Sequence, residues 1–207
     1  MLKIGVLVSG GGTNFQAIVD SIESGYIENA KIVTLVSSSP KAYALERAKN
    51  HNIEGVVIRK KDFENSELYE KALVEHFESR EVDLVIMSGF MVVIGPYFIN
   101  AFRNRIMNIH PSLIPSFCGN GYYGLKVHEA ALEKGVKVTG ATVHFVTEET
   151  DAGPIILQKA VYIDDDDTPE SLQKKVMIEA EWKIFPEAIK LFAEGKIEIV
   201  GNKVRRK

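Results

Sequence analysis

The sequence predicts an α/β fold with a mostly parallel, twisted sheet, helices on both faces and an antiparallel hairpin towards the C-terminus. Apolar segments of strand length alternate with segments of helical periodicity along most of the 207 residues, as in right-handed βαβ units. A chain of this length buries a substantial core as one domain, and no repeat or linker interrupts the alternation. We therefore predict a single domain over residues 1–207, with residues 1–100 and 101–207 as its halves.

Each element of the first half follows from its own pattern. Apolar, β-branched segments predict strands, and apolar residues at helical spacing predict helices. The predicted strands are residues 2–8, 31–36, 55–58 and 82–87, and the predicted helices are residues 42–50 and 66–79. A further helix should begin at Phe15, directly after a glycine-rich turn. The strand over residues 82–87 is apolar enough to be buried on both faces, as strands of parallel sheets are.

The second half combines a hairpin with one long helix. The predicted elements are a helix over residues 125–134, strands over residues 105–107, 138–147, 154–163 and 197–200, and a solvated basic tail over residues 203–207. The strands over residues 138–147 and 154–163 form the antiparallel hairpin. The long helix begins at Pro169 with Thr168 as its N-cap, and it ends at Gly195. Pro186 predicts an adjustment of its backbone on the preceding turn.

Composition narrows the classes of function. Lys and Arg number 25 against 28 Asp and Glu, so the net charge of −3 gives no overall electrostatic surface for nucleic acid. Cys118 is the one cysteine, which excludes an internal disulfide. The most apolar stretch, residues 82–95, is too short to span a membrane, and the N-terminus lacks a signal-peptide layout. The acidic run at residues 164–167 lacks calcium-loop spacing. We expect a cytoplasmic protein without a metal site.

A glycine-rich stretch, Ser9-Gly10-Gly11-Gly12-Thr13-Asn14, connects the first strand to the first helix. Backbone N–H groups and the dipole of a helix start both favour an anion, so Gly11 to Asn14 are candidate phosphate ligands. The dinucleotide fingerprint fails because Phe15 stands where its third glycine belongs, and no Walker pattern follows. The loop therefore suits one phosphate monoester. These residues alone are equally compatible with the alternative, a tight turn without a ligand.

A second stretch, residues 108–117, follows the short strand at residues 105–107. Asn108 and His110 are two positions apart, so their side chains share one face of an extended chain. An amide donor and an imidazole aimed at one volume stabilise an oxygen that gains negative charge during acyl transfer. The alternative is a turn in which His110 is an ordinary satisfied polar residue.

These stretches resemble the folate-dependent formyltransferases, and among them those that act on glycinamide ribonucleotide. Asn108-Ile109-His110-Pro111-Ser112 followed by Leu113-Ile114-Pro115 matches the catalytic motif, and Ser9 to Asn14 matches the phosphate loop. The Gly89-Phe90-Met91 segment and the Asp151-Ala152-Gly153 loop match two further motifs. The resemblance extends over nearly the whole chain.

The resemblance implies a Rossmann-like three-layer formyltransferase fold, with a phosphate-binding first half and a catalytic, folate-binding second half. It implies transfer of the formyl group of 10-formyltetrahydrofolate to the amine of glycinamide ribonucleotide in de novo purine synthesis, with Asn108, His110 and Asp151 as catalytic residues. It also implies that Glu181, just ahead of Phe185-Pro186, meets the substrate amine. The implied folate-binding residues are Phe90, Met91, Val92, Val93, Ile94, Asn108, Thr147, Glu148, Glu149, Thr150 and Asp151.

The chain departs from the family at Val92 and Ser66, where relatives often carry basic residues, so contacts to the folate tail stay open. The Cys118–Gly124 loop resembles an insertion beside the site, and His128 is expected near it without a proton-transfer role. Expected partners are the two small-molecule substrates, without nucleic acid or membrane, in a monomer or homodimer.

Two related classes of enzyme and one class of binding module are the rival functions. The methionyl-tRNA formyltransferases carry an added RNA-binding domain, and the 10-formyltetrahydrofolate hydrolases carry an added N-terminal domain; the sequence shows neither pattern. A non-catalytic module for phosphate ligands would need the loop at Gly11 to Asn14 but not the trio of Asn108, His110 and Asp151. Binding without turnover would indicate such a module.

Overall fold

A computed structural model describes all 207 residues and confirms the α/β fold. The strands are β1 (Leu2–Val8), β2 (Ala30–Ser37), β3 (Glu54–Val57), β4 (Leu84–Met87), β5 (Ile106–His110), β6 (Val138–Phe145), β7 (Ile155–Tyr162), β8 (Ile197–Val200) and β9 (Lys203–Arg206). The α-helices are α1 (Thr13–Glu23), α2 (Ala44–Asn50), α3 (Ser66–Glu78), α4 (Pro96–Ala101), α5 (Leu125–Lys134), α6 (Pro169–Val176) and α7 (Trp182–Ala193). A seven-stranded sheet has the order β3-β2-β1-β4-β5-β6-β7, and β8 and β9 form a separate pair. No helix is long and apolar enough to cross a membrane.

The first of two compact units comprises Met1–Met107. Its sheet is parallel: β1 pairs with β2 and with β4, and β2 pairs with β3. The apolar face of α3 and the short helix α4 bury an aromatic cluster, in which the ring centroids of Phe77 lie 5.9 Å from Phe98 and 6.0 Å from Phe102. Gly5 on β1 leaves room for this cluster, since a Cβ there would lie 2.7 Å from the Phe77 ring. The aromatic cluster therefore packs against β1, the strand from whose end the glycine-rich loop emerges.

The second unit comprises Asn108–Lys207. Strands β6 and β7 form the predicted antiparallel hairpin, whose register shifts between Val143 and His144. Such a bulge bends the strand and re-aims the side chain beside it. Gly153 closes the hairpin against β6, because a Cβ at that position would lie 1.8 Å from the Phe145 carbonyl oxygen. The hairpin thus sets both His144 and the acidic loop between its strands.

Several predicted boundaries were wrong. The strand predicted at residues 105–107 is β5, and it continues to His110 because Ile109 extends its buried apolar pattern. Helix α1 begins at Thr13 rather than Phe15, and α4 was not predicted. The basic tail is not simply solvated: Lys203–Arg206 form β9, paired with β8, although most of these side chains remain exposed.

The long helix predicted after Thr168 is also interrupted. It consists of α6, a π-helical turn over Met177–Glu181, and α7, which contains Pro186. The capping prediction was correct: the Thr168 hydroxyl accepts a hydrogen bond from the Ser171 N–H, and the Thr168 N–H donates to the Ser171 hydroxyl. The backbone adjustment predicted ahead of Pro186 is thus a π-turn, which widens the helix by one residue.

Candidate active site

The glycine-rich loop in the first unit has the geometry of an anion site. Helix α1 carries no acidic residue in its first turn and no side-chain cap at Gly12. Gly12 has φ 69°, and a Cβ there would lie 2.6 Å from the Ala44 Cβ, so glycine is required on both counts. Around Gly10 and Gly11 the space is open, since an added Cβ would meet no atom within 4 Å. This leaves room for a ligand at the helix start.

The carbonyl groups of this loop are held by α2. The Gly10 carbonyl accepts from the Ala44 N–H at 3.2 Å, and the Gly11 carbonyl accepts from Arg47 Nε at 2.9 Å. In a trans peptide the N–H points opposite to the C=O of the same unit. The N–H groups of Gly11 and Gly12 therefore point away from α2. This orientation favours a phosphate over a cation.

The Phe90–Ile94 segment follows β4 without regular secondary structure. Phe90 and Ile94 are buried, whereas Met91 is 54% exposed and Val93 is 70% exposed. Two large apolar side chains are thus presented on the surface while their neighbours anchor the segment in the core. Such an arrangement provides one wall for a flat apolar ligand.

The structure brings together the predicted trio of the second unit and adds a fourth residue. The Asp151 carboxylate lies between two imidazoles: Oδ2 is 3.6 Å from His110 Nδ1, and Oδ1 is 3.6 Å from His144 Nε2. Asn108 Nδ2 lies 3.2 Å from the same His144 nitrogen. Because His110 and His144 are both buried, this cluster is well shielded from solvent.

The hydrogen bonds of His144 assign its tautomer. Its Nδ1 lies 3.0 Å from the Phe145 carbonyl oxygen, which only accepts, so Nδ1 carries a proton. In that tautomer Nε2 accepts from the Asn108 amide. An amide NH₂ group has two protons, so the second N–H of Asn108 remains to serve a substrate oxygen. His144 therefore fixes which end of the Asn108 side chain is the donor.

His110 is held as a neutral ring in this arrangement. Burial lowers its pKa, and the nearby Asp151 carboxylate and Phe117 carbonyl only partly oppose this effect. Its Nε2 donates to the Phe117 carbonyl oxygen at 2.9 Å. Nδ1 then lacks a proton, which fits its separation of 3.6 Å from Asp151, too long for a hydrogen bond. The ring is thus poised to take a proton on Nδ1 when negative charge develops nearby.

Asp151 is ionised at neutral pH. Burial alone would raise its pKa, but the Gly119 N–H at 2.9 Å, and the positive charge that either flanking imidazole gains when it is protonated, hold that pKa below its usual range. Its backbone has φ 56°, an uncommon left-handed conformation for a residue other than glycine. Strained backbone of this kind persists where the surroundings fix it, and functional sites are a frequent place.

His128 on α5 lies close enough to His110 for their charges to interact. Burial, and second the repulsion from His110, lower its pKa to about 4. Neither ring nitrogen has a hydrogen-bond partner within the protein. This is consistent with the expectation of a neutral neighbour of the site.

The remaining predicted residues occupy two segments of the second unit. Thr147, Glu148, Glu149 and Thr150 are exposed in the acidic loop, where Thr147 Oγ1 donates to the Glu149 carbonyl at 3.2 Å. Glu181 is buried at the end of the π-turn. A π-turn redirects the side chains that follow it and is frequent at functional sites.

Two features were missed by the sequence reasoning. His144 gave a weak signal, as a histidine two positions after Thr142 in a strand rich in β-branched residues. The main-chain groups of Phe117 and Gly119, which bond to His110 and Asp151, gave none. A group that was not predicted, Asp20, Glu23 and His51, places ligand atoms within 4.8 Å of one another at the surface. Its His51 Nδ1 already bonds to Glu23 at 2.7 Å.

The parallel sheet with loops at its strand ends, and the Asn–His–Asp cluster, define an α/β protein equipped for acyl transfer. Residues 2–189 match the formyl transferase family. The chain is 41% identical to the phosphoribosylglycinamide formyltransferase of Haemophilus influenzae, covering 98% of this chain and 92% of that protein. The chain belongs to the formyl transferase family.

Solved structures of formyl transferases have the same fold as this chain. Glycinamide ribonucleotide transformylase 1 from Symbiobacterium toebii superposes with a TM-score of 0.94 and 44% identity, covering 100% of this chain and 94% of that one. A formyltetrahydrofolate deformylase from Pseudomonas syringae pv. tomato has a TM-score of 0.84 at 22% identity, covering 99% of this chain and 65% of that one. The second similarity shows a shared fold only.

Proposed function

We propose that the protein transfers the formyl group of 10-formyltetrahydrofolate to the amine of glycinamide ribonucleotide, giving formylglycinamide ribonucleotide and tetrahydrofolate in purine synthesis. The observation that carries this is the buried cluster in which His144 orients the Asn108 amide and Asp151 lies against His110. Relatives about 40% identical over nearly the full chain are phosphoribosylglycinamide formyltransferases.

The chemistry is direct attack of the substrate amine on the formyl carbon. Asn108 donates its second N–H to the formyl oxygen, which becomes an oxyanion in the tetrahedral intermediate. Preorganised donors of this kind are typically worth roughly 3–4 kcal/mol in the transition state. Because the amide is already held by His144, little reorganisation accompanies the reaction.

His110 supplies the second donor. As negative charge develops on the formyl oxygen, the ring becomes easier to protonate, and Asp151 stabilises the resulting imidazolium. For Nε2–H to reach the oxyanion, it exchanges the Phe117 carbonyl for the substrate oxygen. The proton that the amine releases passes through water and Asp151 to His110 Nδ1, and the imidazolium later returns it by the same route to the departing folate nitrogen.

Recognition is divided between the two substrates. The glycine-rich loop at Gly11 to Asn14 receives the phosphate, and Glu181 meets the amine. The Phe90–Ile94 segment and the Thr147–Asp151 loop contact the formyl donor. A carboxylate next to the amine also raises the fraction of nucleophile held in a productive position.

A spectroscopic assay tests the proposal. Purified protein is mixed with glycinamide ribonucleotide and a 10-formylfolate, and the absorbance of the deformylated folate is followed. Turnover should require the nucleotide, and the dephosphorylated riboside should be a poor acceptor. Equal deformylation without any acceptor would identify a hydrolase, and equal use of riboside and nucleotide would exclude the loop as a phosphate site.

In the same assay, Asn14→Ala should raise KM for the nucleotide with modest change in kcat, because it removes ground-state binding. Ser24→Ala, an exposed hydroxyl at the end of α1, is the control. An Asn14→Ala enzyme with wild-type KM would separate Asn14 from the phosphate site.

A further inference from the structure

The Phe90–Ile94 segment is held by two side chains that belong to neither of its flanking elements. Ser9, the first residue after β1, accepts a hydrogen bond at Oγ from the Met91 N–H at 2.8 Å. The Ser9 N–H in turn donates to the Gly89 carbonyl at 3.1 Å. Ser9 therefore makes a two-point contact with the start of the segment.

The other end of the segment is held by Glu70 on α3. Its Oε1 accepts from the Gly95 N–H at 3.0 Å, and its Oε2 accepts from the Phe98 N–H at 3.1 Å. Glu70 is buried, and it serves as the N-terminal cap that α4 lacks from its own Gly95. The approach is close enough that a Cβ on Gly95 would lie 2.4 Å from Glu70 Oε1. The Glu70 carboxylate can therefore approach this closely only because residue 95 is a glycine.

Between these anchors, Met91 and Val93 are exposed although both are apolar. Held at its two ends, the segment presents these side chains without collapsing them into the core. The Ser9 hydroxyl is itself fixed, because it lies 2.7 Å from the Ser38 hydroxyl at the end of β2. One short side chain in the phosphate loop therefore determines the position of a segment belonging to a different ligand site.

We propose that Ser9 and Glu70 are positioning residues for the formyl-donor wall, which they hold through the main-chain N–H groups of Met91, Gly95 and Phe98. Neither side chain needs to touch the donor. The proposal deepens the proposed function, because it rests on the Phe90–Ile94 segment being the donor wall. Ser9, a residue of the nucleotide-phosphate loop, would then control the affinity for the formyl donor.

Kinetics of Ser9→Ala and Glu70→Gln test this assignment. Losing one hydrogen bond should raise KM for the formyl donor roughly threefold to tenfold, and by more than any change in KM for the nucleotide. Ser9→Thr keeps the hydroxyl and should restore the wild-type KM. The matched controls are Ser21→Ala, whose hydroxyl bonds within α1, and Glu67→Gln, an exposed residue on α3.

Amide hydrogen exchange measures these anchoring hydrogen bonds in the absence of any ligand. The Met91 amide should exchange faster in Ser9→Ala, and the Gly95 or Phe98 amide should exchange faster in Glu70→Gln, by a similar factor. Unchanged exchange in both variants would overturn the anchoring. Faster exchange with an unchanged KM for the donor, or with both KM values raised equally, would overturn the assignment of the wall. Absence of turnover in the wild-type protein would instead refute the proposed function.

Discussion

Acidification should destabilise the protein through His128, a buried residue of α5 whose ring has no hydrogen-bond partner in the protein. Its pKa is lowered from 6.5 to about 4 in the folded state. The unfolded chain takes up this proton near pH 6.5, so the contribution to stability is complete above that pH and is lost as the pH falls towards 4. A difference of about 2.5 pH units at about 1.4 kcal/mol per unit amounts to about 3 kcal/mol. That is a large part of the stability of an ordinary domain.

Urea unfolding at several pH values between about 4 and 7 measures this loss. His128→Gln removes the titrating group, so its unfolding free energy should depend less steeply on pH, by up to about 1.4 kcal/mol per pH unit. Lys126→Gln, an exposed change on the same helix, should keep the wild-type slope. If His128→Gln lost stability with acid as steeply as the wild type, the burial argument for this ring would be wrong.

Four further predictions concern the reaction. Asn108→Ala and His110→Ala should each lower kcat about 10²- to 10³-fold without unfolding the protein, and their combined loss should be less than the product because both act on one oxyanion. Asp151→Asn should lower kcat and move the acidic limb of the pH–rate profile to lower pH, since the Asp151 charge raises the pKa of His110; an unmoved limb would contradict that coupling. Glu181→Ala should impair both kcat and KM for the nucleotide, by up to about a hundredfold in rate, because the nucleophile is misplaced; steady-state kinetics with varied nucleotide measure both. His144→Phe should lower kcat while leaving KM for the nucleotide unchanged, since it frees the Asn108 amide to rotate; wild-type kcat would show that the amide needs no such support.

Local pattern was enough to predict most elements, because strand and helix periodicities are properties of short segments. Boundaries that depend on tertiary contacts were not predictable in this way. The end of β5 is set by burial of Ile109, and β9 exists because Val204 lies opposite Ile199 in the β8–β9 pair. The basic residues around Val204 favour a solvated tail when they are considered alone.

The residues of the candidate site differ in the same way: some follow from local sequence pattern, and others depend on tertiary contacts. Asn108 and His110 could be proposed from the sequence because their spacing is local, and Asp151 was proposed from a motif. His144 joins them beside a register shift in the β6–β7 pair, where Ile156 of β7 is the extra residue, and no spacing in the sequence indicates this shift. The carbonyl of Phe117 and the N–H of Gly119 belong to the backbone, so residue type carries no information about their contacts. The role of Glu70 was likewise hidden, since it faces a helix start that the sequence did not predict.

The π-turn at Met177–Glu181 has a consequence for how this chain tolerates insertions and deletions. An α-helix turns by about 100° per residue, so removing one residue from the π-turn would join α6 and α7 into one regular helix from Pro169 to Ala193 and turn Glu181 to another face relative to α6. The backbone hydrogen bonds of the regular helix would have better geometry, but the buried Glu181 carboxylate would no longer point in its present direction. If Glu181 meets the substrate amine as proposed, the number of residues between the cap and the proline is constrained by the direction of that side chain as well as by the stability of the helix.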